Sequence, residues 1–229
     1  MWNLPAPPGF QGLHPEKPLK IYARNMPHWR QDGATYFVTF RLGDSLPQSK
    51  LYELEDLRTE WRRRHPTSHN AADQLAKEII RRVEKWLDQG YGSCHLRETW
   101  ASTIVADAMH HFDGERYELG CFAVMANHVH GIVRPLDPAT QPLERVLQSW
   151  KRFSAQQINE RLGQDGAFWQ EETFDRIIRD EEHLWNTIQY IGANPRLAGQ
   201  SPDDCPRWIR PEWEELGWKF VDRTSEPVS

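Results

Sequence analysis

The sequence predicts one α+β domain, in which antiparallel strands pack against amphipathic helices and a helical segment is inserted. Two patterns indicate this class. Apolar residues alternate at 34–42 and 117–134, as in strands, and they recur at helical spacing through 48–112. The length of 229 residues suits a single domain with an insertion, and an apolar content of 38% is enough to build a core.

The first predicted strand covers residues 34–42. Tyr36 and Val38 alternate with Phe37 and Thr39, which is the pattern of a half-buried strand. One face of this strand is therefore expected to pack on the core while the other meets solvent.

Three apolar stripes predict three helices within 48–112. Pro66 ends the first helix, Gly90 ends the second, and the turn at Asp113-Gly114 follows the third. The stripes consist of Leu51, Leu54, Leu57 and Trp61; of Leu75, Ile79, Val83, Trp86 and Leu87; and of Ile104, Val105, Ala108, Met109 and Phe112.

The stretch after the insertion predicts two further strands that run antiparallel. Residues 117–126 alternate, Asn127 turns the chain, and residues 128–134 return. An amphipathic helix is expected from Leu143 to about Gly163, because its apolar residues recur every three or four positions.

A short strand is expected near 173–178, followed by a last helix. Asp180 is suited to cap the start of that helix. Pro195 is expected to stop it near Ala193, because the residue before a proline is disfavoured in a helix.

The two ends of the chain differ in composition from the middle. Residues 1–33 are rich in proline and predict an extended N-terminal arm, and residues 200–229 are rich in proline and tryptophan and predict a C-terminal tail. The domain is therefore placed at 34–199, with the helical insertion at about 48–112.

Two pairs of polar residues suggest a site. His128 and His130 lie two apart on a predicted strand, so both imidazoles point to one face and could share a metal ion. Tyr190 and Asn194 lie four apart on the predicted last helix and also share a face. Each pair has an ordinary alternative, because strand histidines and helix tyrosines often only pack, and an asparagine before proline often ends a helix.

The overall composition argues mildly against a nucleic-acid partner and excludes some other classes. The net charge is −5 and the sequence pI is about 6.1, so any basic groove for DNA must be local. Cys94, Cys121 and Cys205 are scattered, which predicts a reducing compartment and neither a disulfide framework nor a cysteine zinc site. No apolar run is long enough to predict a signal peptide or a membrane span.

Four short blocks in a fixed order carry a family resemblance. They are 125–133 (MANHVHGIV), 168–170 (FWQ), 178–184 (IRDEEHL) and 190–199 (YIGANPRLAG). Together with Pro27-His28-Trp29 and the stretch 33–40, they resemble the REP-associated tyrosine transposases, relatives of the IS200/IS605 transposases within the HUH nuclease superfamily. The match covers about 27–45 and 117–199, and its blocks are specific jointly rather than singly.

The resemblance implies a ferredoxin-like antiparallel sheet that carries the histidine pair, with the tyrosine on a facing helix. It implies that His128, His130 and Asn194 bind Mg²⁺ or Mn²⁺ and that Tyr190 is the nucleophile. Ala126 departs from the family's usual proline at its position. The implied activity is cleavage and transfer of single-stranded DNA next to a hairpin or palindromic repeat, through a 5′-phosphotyrosine link. The implied setting is the bacterial cytoplasm, at the nucleoid, as a monomer or a homodimer without membrane contact.

DNA binding needs further residues. Arg145, Lys151 and Arg152 on the helix after the histidine strand are candidates for phosphate contacts, and Trp29 and Trp169 could stack on unpaired bases. The ordinary alternatives are a solvated helix face for the cations and core packing for the rings. A second basic group before Pro66 consists of Arg58, Arg62, Arg63 and Arg64.

Two other functions fit the same residues. One is a non-cutting DNA-binding module on this fold, which the presence of both histidines and the tyrosine argues against. The other is a metal-dependent phosphohydrolase of small substrates, for which further His or Asp ligands at recognisable spacing are missing from the sequence.

Overall fold

The described part of the chain alternates strands and helices. A computed structural model describes residues 3–23, 27–65 and 71–221. The strands are β1 (Lys20–Ala23), β2 (Pro27–Arg30), β3 (Tyr36–Arg41), β4 (Tyr117–Val124), β5 (His128–Pro135), β6 (Phe174–Ile177) and β7 (Arg207–Ile209). The helices are α1 (Gln48–Arg64), α2 (Ala71–Leu87), α3 (Thr99–His110), α4 (Leu143–Leu162), α5 (Glu181–Leu197) and α6 (Pro211–Glu215).

Five strands form one antiparallel sheet in the order β6-β3-β5-β4-β7. The strands β3, β4, β5 and β6, with helices between β3 and β4 and between β5 and β6, follow the βαββαβ sequence of a ferredoxin-like unit. The first and third strands of that unit lie in the middle, as the ferredoxin-like arrangement requires. The predicted fold class is therefore confirmed by the topology of the sheet itself.

Strand β3 is more deeply buried than the sequence predicted, because helices cover both faces of the sheet. Tyr36, Val38 and Phe40 pack in a core cluster with α3 and α4, while Phe37 packs in a second cluster with α5. Thr39 is buried as well. The prediction of a half-buried strand was wrong, since alternation of residue types does not show what covers the more polar face.

The three helices between β3 and β4 divide into two groups. Helices α1 and α2, here called the inserted helix pair, share a small core of their own that includes Leu54, Ile79 and Trp86. Helix α3 instead places Val105 and Met109 in the main core. It occupies the position of the first helix of the ferredoxin-like unit. Pro66, which the sequence predicted to separate the first two helices, lies outside the described residues.

The two ends of the chain are structured and pack together. The described part of the arm contains the antiparallel ribbon β1–β2, and β7 extends the sheet at the edge of β4. Trp213 and Trp218 are buried, and their indole N–H groups donate to the carbonyls of Pro8 and Pro5 at 3.0 and 2.8 Å. An extended arm and a separate tail therefore describe these segments incompletely, because tertiary packing orders both.

The last helix begins as predicted and ends later than predicted. The Asp180 carboxylate accepts a hydrogen bond from the His183 N–H at 2.7 Å, which is the expected cap. The helix then continues through Pro195 to Leu197. A proline near the end of a helix removes only one hydrogen bond, and the last turn is held by the Ala198 N–H donating to the Asn194 carbonyl at 3.0 Å.

Two expectations from the composition can be compared with the structure. Cys94, Cys121 and Cys205 are all buried and free, so the predicted absence of a disulfide framework is confirmed. Among the described residues, every helix is too short or too polar to cross a membrane.

We predict that Gly120→Ala destabilises the protein by about 1–3 kcal/mol, because it overpacks the contact between β4 and the C-terminal segment. A Cβ at Gly120 would lie 2.4 Å from a ring carbon of Trp213. Gly131→Ala is the matched control in the neighbouring strand, where the Cβ would meet the flexible end of Met109 at 3.1 Å. Urea unfolding of both variants tests this, and equal losses of stability would contradict the tight seating of Trp213.

Candidate functional site

Two histidines form the centre of the site on strand β5. His128 and His130 project from the same face and are almost completely buried, at 1% and 0% exposure. Their Nε2 atoms lie 3.0 Å apart. The rings meet edge to face, with centroids separated by 4.6 Å. The strand period thus brings two imidazole nitrogens to one point.

The second nitrogen of each ring has its own partner. His128 Nδ1 lies 2.8 Å from the Asn127 side-chain oxygen, and His130 Nδ1 lies 2.8 Å from the Thr39 hydroxyl. An amide oxygen only accepts hydrogen bonds, so the Nδ1 of His128 carries the proton. The Nε2 lone pair of His128 is then directed into the site.

Burial keeps both histidines uncharged. It lowers the pKa of His128 to about 4, and the nearby Asn194 amide opposes part of that shift. Burial and the neighbouring His128 lower the pKa of His130 well below its ordinary value. Neutral imidazole is the form that binds metal ions, so both rings are in the ligating state at neutral pH.

Helix α5 places Tyr190 and Asn194 against the histidine pair. The Tyr190 ring centroid lies 5.2 Å from that of His130. Asn194 is fully buried, and within the described residues neither atom of its amide has a hydrogen-bond partner of ordinary geometry. The structure thus brings together the four residues that the sequence singled out. The two pairs are far apart in the sequence, and packing of α5 on the sheet brings them together.

The donors present fit a divalent cation. Two atoms bound at about 2.1 Å to one ion and at right angles to each other lie roughly 3.0 Å apart, which is the separation of the two Nε2 atoms. The described residues contain no group of three or more His, Cys, Asp or Glu suited to a metal. The Asn194 amide, buried beside the pair without a partner among the described residues, is suited to serve as a third donor, and neutral donors leave an ion's charge largely uncancelled.

Two carboxylates that sequence reasoning missed lie beside Tyr190. The Glu84 carboxylate on α2 lies near the Tyr190 hydroxyl, and each group shifts the pKa of the other. Asp88 lies one turn further on, and its Oδ1 is buried without a partner among the described residues. Burial, followed by the charges of Glu84 and Asp88, raises the pKa of Tyr190 above its ordinary value. The spacing of four residues places Glu84 and Asp88 on one face of a helix. The local sequence does not show that this face packs near Tyr190.

An arginine that the sequence analysis did not select also lies at the site. Arg176 on β6 is exposed, and its guanidinium carbon is 5.1 Å from the ring centroid of Phe37, which itself stacks on His130. Arg176 therefore presents a cation on the face of the sheet that carries the histidines. Such a group is suited to hold a phosphate.

The three cations predicted to contact DNA lie on α4, which packs on the opposite face of the sheet from the histidines. Arg152 is exposed, and Arg145 is exposed with its guanidinium donating to the Thr140 carbonyl at 2.6 Å. The Lys151 ammonium donates to the carbonyls of Gln170 and Glu171 at 2.6 and 2.7 Å, so it holds the neighbouring loop.

The two tryptophans predicted to stack on bases pack instead against the main core. Trp169 is 6% exposed, and its indole N–H donates to the Ser154 hydroxyl at 3.0 Å. Trp29 is partly buried against the same core cluster. In this arrangement Trp169 leaves almost no ring surface for a base, and Trp29 leaves part of one.

Comparisons with known proteins give a distant likeness to solved structures. No family model matches the chain, and no curated protein matches it. Among solved structures, one described as a REP-associated tyrosine transposase bound to a REP hairpin matches at 15% identity with a TM-score of 0.38. The aligned region covers 79% of this chain and 74% of the other. The fold assignment rests on the strand order of the sheet.

We predict that acid destabilises the protein through the buried histidines. The pKa of His128 is about 4 in the fold and about 6.5 in an unfolded chain. The unfolded state therefore binds more protons, and the free energy of unfolding falls as pH drops from 6.5 to 4. The contribution of His128 is on the order of 3 kcal/mol at most.

Urea unfolding at several pH values, with a chelator present, measures this effect. His128→Gln should lose less stability than the unsubstituted protein between pH 6.5 and 4.5. His111→Gln, which replaces an exposed histidine, is the control and should follow the unsubstituted protein. Parallel pH curves for all three proteins would show that His128 does not resist protonation in the fold.

Proposed function

We propose that the protein is a metal-dependent tyrosine nuclease and strand transferase acting on single-stranded DNA next to a hairpin or palindromic repeat. One observation carries the proposal: a tyrosine lies against a pair of neutral imidazoles and an unpartnered amide. These are the groups needed for attack on a phosphate and for holding the cation that polarises it. The order of the sequence blocks around them supports the same reaction.

The reaction exchanges one phosphate ester for another. The Tyr190 oxygen attacks the scissile phosphorus and forms a tyrosine–phosphate bond, while the bond from phosphorus to the 3′ oxygen breaks. One product strand leaves with a 3′-hydroxyl, and the other is attached to Tyr190 through its 5′-phosphate. Attack by a 3′-hydroxyl on this link reverses the step, because the energy of the ester bond is retained. The same site therefore supports both cutting and strand transfer.

Tyr190 needs an acceptor for its proton. A phenol ionises near pH 10, and burial beside Glu84 raises the pKa of Tyr190 further. Glu84 is the carboxylate near the Tyr190 hydroxyl whose charge and burial act on that hydroxyl, so it is the group placed to take the proton during attack. We assign this role to Glu84.

His128, His130 and Asn194 are the residues that would hold a divalent ion, Mg²⁺ or Mn²⁺. The ion's chemistry is to withdraw charge from the scissile phosphate, and this effect is worth several kcal/mol in metal-dependent phosphoryl transfer. Arg176 adds a fixed cation on the same face. This set of charges favours a phosphodiester substrate.

We predict that Tyr190→Phe abolishes a covalent protein–DNA adduct, because the variant lacks the attacking oxygen. The substrate is a pool of hairpin oligonucleotides with randomised single-stranded flanks, incubated with Mn²⁺ and resolved on denaturing gels. The adduct should carry a label placed at the 3′ end of the DNA but not one at the 5′ end, since the 5′-phosphate remains attached. Excess chelator should also abolish it.

Tyr52→Phe is the matched control, because Tyr52 is 64% exposed on α1. It should form the adduct as the unsubstituted protein does. An adduct that persists in Tyr190→Phe would move the role to another residue. Tight hairpin binding without any adduct would favour a non-cutting module, and hydrolysis of small phosphate esters without DNA would favour a phosphohydrolase.

We predict that DNA affinity depends on salt through Arg145 and Arg152. Each neutralised phosphate releases counterions, so the double variant Arg145→Ala, Arg152→Ala should flatten the salt dependence of binding by roughly one to two units. Lys151 is left intact because it holds the 170–173 loop. The measurement is the dissociation constant across a salt series.

The second arm of this test is the double variant Arg63→Ala, Arg64→Ala on α1. These arginines are exposed and pair with Glu60 at 3.0 and 2.7 Å. Their loss should leave the slope unchanged. A slope that responds only to this second pair would place the DNA along the inserted helix pair.

A further inference from the structure

Asn127 is buried at the turn that leads into the histidine strand. It has 1% exposure and directly precedes His128. Its backbone carbonyl accepts a hydrogen bond from the Leu42 N–H at 2.9 Å, which fixes the turn to the end of β3. This backbone hydrogen bond fixes the position of Asn127 independently of its side-chain contacts.

The Asn127 amide joins two parts of the molecule that are distant in sequence. Its nitrogen donates to the Leu87 carbonyl at 3.3 Å and to the Tyr91 carbonyl at 3.0 Å, while its oxygen faces His128 Nδ1 at 2.8 Å. The amide cannot be reversed, because an oxygen turned toward two carbonyl oxygens would have no donor. One orientation of Asn127 therefore dictates one tautomer of His128.

The far side of this contact is the end of helix α2. The last carbonyls of a helix lack partners within the helix; the Leu87 carbonyl accepts from the Gly90 N–H at 3.0 Å, and Asn127 adds a second donor to it. Glu84, whose carboxylate lies near the Tyr190 hydroxyl, is three residues before Leu87 on the same helix. The end of α2 is thus tied to the histidine pair through Asn127 and also carries the carboxylate near Tyr190.

We infer that Asn127 is a positioning residue that sets the tautomer and orientation of His128 and fixes the end of α2 against the site. The inserted helix pair then contributes to the site, because the end of α2 is bound to Asn127. This inference rests on the proposed function, because it explains how the residues of that same site are held in position. Thr39 lies 2.8 Å from His130 Nδ1 without any link to α2, and because a hydroxyl can donate or accept, it orients that ring without setting its tautomer.

The first measurement is the tautomer of His128 in the full chain, observed by nitrogen-15 NMR of the imidazole rings without metal. The expected state carries the proton on Nδ1. This readout needs neither DNA nor a metal ion. Because it uses the unsubstituted protein, it does not depend on whether any variant folds. Finding the proton of His128 on Nε2 in the unsubstituted protein would overturn the inference.

The second measurement is binding of Mn²⁺ alone, combined with hydrogen exchange of the backbone at 84–91. Asn127→Ala should weaken Mn²⁺ binding by about 10–100-fold, because it removes the partner of a ligating histidine. Asn127→Asp keeps an acceptor for His128 Nδ1, so it should bind Mn²⁺ more tightly than Asn127→Ala does. Both should also speed exchange at 84–91. In the aspartate variant a carboxylate would face two carbonyl oxygens, so the helix end should loosen most there.

Thr39→Val is the matched control, because valine keeps the shape of threonine and removes only the hydroxyl. It should weaken Mn²⁺ binding without faster exchange at 84–91. Asn127 variants that fold, bind Mn²⁺ normally and exchange normally would overturn the inference. A protein that shows the expected tautomer and exchange changes but forms no DNA adduct would overturn the proposed function while leaving the role of Asn127 intact.

Discussion

The burial of two imidazole rings side by side on β5 is the constraint on which the site depends. A buried polar atom without a partner costs free energy, so each ring needs a fixed partner for its second nitrogen. Asn127 supplies one partner from the turn before β5, and Thr39 supplies the other from within β3. The two remaining nitrogens face each other at 3.0 Å, a separation that is favourable only with a proton or a cation between them. The surrounding packing maintains this arrangement.

The two faces of the sheet have different tasks under the proposed function. Helix α5 packs on the face that carries the histidines, where the end of α2 is also tied to the site through Asn127, while α4 carries exposed arginines on the other face. Strand β6 is an edge of the sheet. On it, Asp175 is directed to the α4 side and Arg176 to the histidine side. A DNA strand that contacts both α4 and Tyr190 therefore has its shortest path around the β6 edge.

Local periodicity predicted β3 to β6, α1 to α5 and the pairs that share a face, but it did not predict β1, β2, β7 or α6 in the two ends of the chain. His128 with His130, and Tyr190 with Asn194, follow directly from the strand and helix repeats. The family resemblance supplied the expected sheet arrangement, which the strand order confirms. The role of Glu84 could not be predicted, because it depends on how α2 docks onto α5. Trp169 was misleading for the same reason, since a tryptophan in a polar stretch gives no sign of its burial.

The environment of Tyr190 keeps its hydroxyl protonated, and therefore weakly nucleophilic, in the free protein. Burial and the adjacent Glu84 and Asp88 raise the pKa of Tyr190, so the free protein holds the hydroxyl protonated. A cation bound at His128 would favour the phenolate, because opposite charges lower the pKa of an acid. The same carboxylates that suppress ionisation can then accept the proton. Under the proposed function, activation of Tyr190 would therefore depend on whether the neighbouring donors hold a cation, and α2, which carries Glu84 and is followed by Asp88, would take part in catalysis.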